Sequence, residues 1–225
     1  MIEAIESRFQ ATDRSGDVSA TLVRPNDADR LLILAHGAGA GMRHTFMDSV
    51  AERLAKRRIA TFRYQFPYME RGEKRPDYPP VLVKTVRSAV AAAKRAASDL
   101  PILAGGKSLG GRMTSTAASK GALPEVLGLV FLGFPLHAPG RPGRERADHL
   151  ADVSAPMLFL QGTRDKLADL ELLRPACDDL GARATLRIVE GGDHSFHVLK
   201  RSGRTDLEVR NELATTLPEW ARKLA

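Results

Sequence analysis

The sequence predicts an α/β domain in which a mainly parallel central sheet of about eight strands is flanked by helices. Short apolar runs such as Leu31–Ala35 and Pro156–Leu160 alternate with longer segments of helical period along most of the chain. Strands buried on both faces read as such continuous runs. Glycine-bearing polar loops follow several of these runs directly, at His36–Gly41, Gly106–Gly110, Gly162–Asp165 and Gly191–His194. That places polar chemistry at the carboxyl edge of the sheet, where open parallel sheets hold their ligand sites. With 225 residues and 43% hydrophobic content, the chain can bury a full core and reads as one domain over residues 1–225.

Residues 3–11 and 18–24 read as an N-terminal antiparallel pair joined through the turn-rich Asp13-Arg-Ser-Gly-Asp17. Strand 31–35 then leads to a helix near 45–57, and strand 59–63 to a helix near 81–98. Strand 102–105 leads to the helix after Ser108, and strand 127–132 to a loop. Strand 157–160 precedes a helix near 167–180, and strand 185–189 precedes a last helix near 205–223. Only about two dozen residues separate strand 127–132 from strand 157–160, too few for a large helical cap domain. No repeat or low-complexity tract interrupts the alternation.

The most informative stretch is Gly106-Lys107-Ser108-Leu109-Gly110, a G-x-S-x-G placed where a strand becomes a helix. A serine on so sharp a turn sits in strained backbone with its hydroxyl held over the sheet edge, and the flanking glycines let neighbouring chain pass without a Cβ clash. The same residues end like a phosphate-binding loop, G-x-x-x-x-G-K-[ST]. Position 101 is however proline, and Ile102-Leu-Ala reads as buried strand instead of a loop able to wrap phosphate.

A nucleophilic serine needs an imidazole to take its proton and a carboxylate to orient that imidazole. Asp165 follows strand 157–160 in Gln161-Gly-Thr-Arg-Asp165, and His194 follows strand 185–189 in Glu190-Gly-Gly-Asp-His194. Asp169 is the alternative acid and His197 the alternative base. Strand-Gly-x-x-Asp placement favours Asp165, and the glycine pair before His194 suits a tight approach. His44, His137 and His149 read as ordinary surface or loop residues, and Cys177 as a small buried hydrophobe.

These motifs together resemble the α/β-hydrolase fold from the first strands to the last helix. His36-Gly-Ala-Gly-Ala-Gly41 resembles the family's His-Gly oxyanion loop, Gly106–Gly110 its nucleophile elbow, and the loops at Asp165 and His194 its acid and base loops. H-G-A-G-A-G with G-G-K-S-L-G-G-R-M is similar to a compact subgroup that includes the hydrolase-like domain of a subunit of the nonspecific-lethal histone acetyltransferase complex. The resemblance implies a cofactor-independent serine hydrolase of the esterase or thioesterase class, with Ser108, Asp165 and His194 as a catalytic triad in the family's chain order. It further implies an oxyanion hole made by the backbone amides of Ala38 and Leu109, with His36 packed structurally under its loop. Resemblance to a chromatin-complex subunit keeps a second class in view, an interaction module of the same fold with weak or no turnover.

Selectivity is expected in residues 64–80 and in the loop from Gly133. Phe66, Tyr68, Phe134 and Leu136 are expected to line an open acyl pocket, with Lys107 beside it. Lys107 either favours an anionic substrate or pairs with Glu70, Glu73 or Asp77. The expected partner is a small-molecule acyl substrate.

A net charge of +7 raises the question of anionic partners. Most basic residues are dispersed, and no nucleic-acid signature accompanies them, so nucleic-acid binding is not expected. No histidine or cysteine pair has metal-ligand spacing, and no metal is expected. The single cysteine permits no internal disulfide. No run approaches a membrane span and the start carries no basic-then-apolar leader, so a cytoplasmic location is expected, without membrane association. Oligomeric state is not legible.

Overall fold

The structure, a computed structural model, describes residues 3–224, so Met1, Ile2 and Ala225 of the expected domain span lie outside the described residues. Eight strands form one sheet: β1 Ala4–Thr12, β2 Gly16–Val23, β3 Arg30–Ala35, β4 Ile59–Tyr64, β5 Ile102–Lys107, β6 Val126–Leu132, β7 Met157–Gly162 and β8 Ala184–Val189. Their order is β1-β2-β4-β3-β5-β6-β7-β8. The β1–β2 and β2–β4 pairings are antiparallel, and every pairing from β4 to β8 is parallel. This is the mainly parallel sheet of about eight strands that the sequence predicts.

Alternation along the strands sorts their side chains into two cores. Leu32, Leu34, Leu103, Val130, Leu132, Leu158 and Leu160 pack against α1 (Thr45–Ala55) and α6 (Asp206–Ala221). Leu31, Ile33, Ala104, Leu129, Phe131 and Phe159 face the opposite way, toward α3 (Pro79–Ala96), α4 (Leu109–Ser119) and α5 (Leu170–Asp179). Burial on both faces explains why β3, β6 and most of β7 read as apolar runs, while β4 buries Thr61 and Arg63 as well.

Caps decide where several helices begin. The side chain of Asp169 accepts from the Glu171 amide, so α5 starts at Leu170 and residues 165–168 stay in the loop. Thr205 and Glu208 form a reciprocal capping box that starts α6. Residues 64–80 hold a short helix α2, Pro67–Glu70, and the stretch expected as loop after β6 contains a 3₁₀ segment at Glu145–Asp152. Among the described residues no helix is long and apolar enough to cross a membrane.

Candidate active site

Ser108 joins β5 to α4 with φ 51° and ψ −117°, a backbone state that L residues seldom occupy. Its neighbours make the turn possible. A Cβ at Gly106 would stand 2.5 Å from the Ala35 carbonyl oxygen, and one at Gly110 would stand 2.6 Å from both the Ala35 and His36 oxygens. Both lie well inside contact distance, so β3 and its loop can run beside the elbow only because these residues are glycines. The turn is pinned at each side, the Ser108 amide donating to Leu132 O (3.2 Å) and the Arg112 amide to Ser108 O (3.1 Å).

The Asp165 and His194 loops leave the ends of β7 and β8, which pair Gly162 with Val189. A Cβ at Gly162 would fall 2.2 Å from Gly192 O. In that close approach the Arg164 amide donates to Gly192 O (2.9 Å), the Gly191 amide to Thr163 Oγ1 (2.9 Å) and the Arg164 guanidinium to Gly191 O (3.0 Å). So latched, the loops bring Asp165 Oδ2 to 2.7 Å from His194 Nδ1, and His194 Nε2 to 2.8 Å from Ser108 Oγ. Asp165 is buried, its Oδ1 accepting from the Leu167 amide (2.8 Å) and its Oδ2 also from Gln161 Nε2 (2.6 Å).

A cavity of about 430 Å³ opens at this relay. Ala38 and Gly39 form one rim, and Phe46, Met47 and Leu167 contribute apolar wall. The Leu109 amide, first in α4, has no intrahelical acceptor. The Ala38 loop is held from behind, since Tyr68 Oη donates to Ala38 O (3.0 Å) and His36 Nδ1 to Gly37 O (2.7 Å). His36 is fully buried, its Nε2 accepts from the Phe66 amide (3.0 Å), and burial pushes its pKa down to about 4.

Four expected pocket residues lie elsewhere. Phe66, Tyr68, Phe134 and Leu136 are buried in the core on the α3–α5 side and do not line the cavity at Ser108. Phe66 packs edge-on to His36 and Tyr64, while Phe134 packs on Phe131 and Phe159. These rings gain more from aromatic neighbours and full burial than from a solvated wall. Tyr68 alone reaches toward the site, through its hydroxyl under the Ala38 loop.

Lys107 does line the cavity, and it pairs with none of the expected acids. Glu70 pairs with Arg8, and Glu73 and Asp77 pair with Arg71. The Lys107 ammonium is buried without a hydrogen-bond partner among the described residues, 5.8 Å over the Phe196 ring. A Cβ at Gly133 would stand 3.3 Å from Lys107 Nζ and 3.4 Å from Asp165 Oδ2, so the two charged groups flank the same point of backbone. Burial pushes Lys107 down to about 8, against the opposing pull of Asp165 and Asp193.

Three other polar residues differ from expectation. His137 is buried instead of exposed: its Nε2 accepts from the Asp169 amide (3.1 Å) and its own amide donates to Leu167 O (3.0 Å), which ties the loop after β6 to the acid loop. His149 is half-buried, Nε2 at 2.7 Å from Ser115 Oγ, and burial lowers its pKa. Gln161, fully buried, escapes the sequence reading altogether. Its Oε1 accepts from the Phe134 amide (2.9 Å) while its Nε2 holds Asp165. The signal that could have found it is a lone amide closing the apolar run Met157-Leu-Phe-Leu. Asp169 and His197, the alternatives for acid and base, are engaged elsewhere: Asp169 caps α5 and His197 Nδ1 lies 2.8 Å from Asp206 Oδ2. Among the described residues no group of three or more His, Cys, Asp or Glu side chains is gathered as a metal ion would need.

Comparison with known proteins adds a family and a fold. Residues 28–222 match the family described as alpha/beta hydrolase domain. A dienelactone hydrolase from Anabaena variabilis superposes with a TM-score of 0.76 at 20% identity, over 99% of this chain and 98% of that one. A lidless α/β serine hydrolase from Xanthomonas campestris gives 0.74 at 18% identity, over 98% and 96%. The esterase Est1E from Butyrivibrio proteoclasticus gives 0.72 at 17% identity, over 97% and 98%.

Proposed function

Because the chain belongs to the alpha/beta hydrolase family, we propose that it is a serine hydrolase cleaving an acyl ester or related carbonyl substrate through an acyl-enzyme. The observation that carries this reading is the continuous relay from Ser108 Oγ through His194 to Asp165, with contacts of 2.8 and 2.7 Å, open to a cavity with apolar wall.

In this reading His194 Nε2 takes the Ser108 proton as Oγ attacks the carbonyl carbon, then delivers it to the departing alkoxide. Asp165 fixes the tautomer with Nδ1 protonated and stabilises the imidazolium that forms. The oxygen that becomes negative is received by the amides of Leu109 and Ala38, the former also aided by the α4 dipole. Losing one such donor typically costs on the order of a hundredfold to a thousandfold in rate. A water then attacks the acyl-enzyme, giving its proton to His194, and the acid leaves as Ser108 is reprotonated. Esters head the substrate class, with thioesters next, since both have leaving groups that need little more than this proton. The esterase and serine hydrolase names of the structural neighbours support the same class.

Fluorophosphonate labelling read by intact mass tests the assignment. Wild type is expected to gain one adduct, and folded Ser108→Ala and His194→Ala variants none. A folded wild type that stays unlabelled overturns it and favours the interaction-module reading.

A further inference from the structure

A second recess, of about 470 Å³, lies beside the nucleophile, between α4 and the approach to α3. Leu109, Arg112 and Met113 line it from α4, and Arg75, Tyr78 and Leu82 from the other side. Ser108 lines the first cavity and Leu109 the second, so consecutive residues of the elbow serve the two.

Arg112 is the unexplained group in this recess. It stands one helical turn beyond Ser108, and its Nε is buried without an acceptor among the described residues. An arginine carries five N–H donors and no acceptor, and a half-buried one is normally paired with a carboxylate. Here the neighbouring charge is another cation: burial and then Arg146 lower the Arg112 pKa, while Arg146 itself donates to His137 O. The acid in the recess, Asp77, is already engaged, accepting from the Tyr68 amide and from Arg71, each at 2.8 Å. Arg75 adds a further positive charge to the lining. Among the described residues no carboxylate pairs with the Arg112 guanidinium that lines the recess, and a guanidinium is the group matched to a carboxylate.

We propose that this recess is an anion subsite, and that the substrate is an ester bearing a carboxylate held by Arg112 while its ester carbonyl lies at Ser108. The inference rests on the serine hydrolase reading for its ester, and on the recess alone for its anion. Arg112 lies four positions beyond Ser108, which at helical spacing is about 6 Å along the axis. A carboxylate roughly three or four carbons from the reacting carbonyl covers that span.

The test compares charged and neutral partners: 4-nitrophenyl hemiglutarate against 4-nitrophenyl butyrate for charge on the acyl side, and 4-acetoxybutyrate against its methyl ester for charge on the alcohol side. Wild type is expected to favour the charged member of at least one pair in kcat/KM. In folded Arg112→Met that preference should fall by roughly tenfold to a hundredfold, with part of it restored in Arg112→Lys. No preference in wild type for either pair overturns the proposal. So does a preference that survives Arg112→Met, or one that is lost only in Lys107→Met. Fluorophosphonate labelling separately reads the hydrolase assignment. If labelling and turnover both fail, calorimetric titration of monomethyl glutarate into Ser108→Ala protein still decides the subsite: binding that Arg112→Met abolishes supports it, and absent or Arg112-independent binding overturns it.

Discussion

The backbone amide of Phe66 donates to Nε2 of His36 at 3.0 Å, and this bond obliges a fully buried imidazole to stay neutral. The opposite nitrogen, Nδ1, carries the proton and gives it to Gly37 O at 2.7 Å. Protonating Nε2 would break the first bond and bury a charge beneath the loop that carries Ala38.

Stability should therefore fall in mild acid. His36 titrates at about 4 in the folded protein against 6.5 ordinarily, so between these values the unfolded chain binds more protons. The neutral ring's contribution is complete above about pH 6.5 and is lost as pH falls through about 4. At about 1.4 kcal/mol per pKa unit, the loss approaches about 3 kcal/mol. For a chain of this size that is roughly 6–12 °C in Tm. Thermal melts from pH 7 to 4 on wild type and His36→Gln check it: the variant's curve should be flatter across this range, and parallel curves would refute the assignment.

Lys107 acts in the same sense with pH but in an alkaline window. Its ordinary value of 10.5 is brought to about 8 by burial, so the unfolded chain holds more protons between pH 8 and 10.5. The cost of the buried ammonium is present in full below about pH 8 and is relieved as pH rises. Lys107→Met should then melt higher than wild type near pH 7, by an amount equivalent to at most about 3 kcal/mol, and the difference should shrink toward pH 10. A difference that does not change with pH would mean packing, not charge, sets it.

Gln161 is predicted to position Asp165. Gln161→Leu leaves the Phe134 amide without its acceptor and removes one donor from Asp165 Oδ2. Loss of such buried partners costs about 1–3 kcal/mol in stability. Fluorophosphonate labelling should slow by about tenfold or more, with kcat reduced while KM stays near wild type. Labelling at the wild-type rate in a folded Gln161→Leu protein would remove Gln161 from this role.

The sheet was legible because β3, β6 and β7 are buried on both faces, which leaves nearly continuous apolar runs. Ser108, Asp165 and His194 were legible as a candidate site because each lies in a loop within a few residues of a strand end, next to glycines that suit a close backbone approach. The side chains around them were not. Phe66 and Tyr68 stand in a charged, proline-containing stretch that suggests solvent, yet the space under the His36 loop draws them inside. His137 reads as a loop histidine because its partner, the Asp169 amide, is far along the chain. Lys107 invites a search for an acid, and only the packed structure shows that its neighbours are an aromatic ring and the flank of Asp165. Each miss depends on contacts between segments distant in sequence, which local pattern does not encode.

The latch between the loops after β7 and β8 has a mechanical meaning. With Gly162 and Gly192 in backbone contact and Thr163 and Arg164 stitched to Val189, Gly191 and Gly192, Asp165 and His194 travel as one rigid piece. In the proposed mechanism the proton path then has a single joint, between that piece and the elbow on which Ser108 is mounted. Strain imposed by a bulky acyl group would concentrate there, stretching the serine–imidazole contact while the imidazole–carboxylate contact keeps its length.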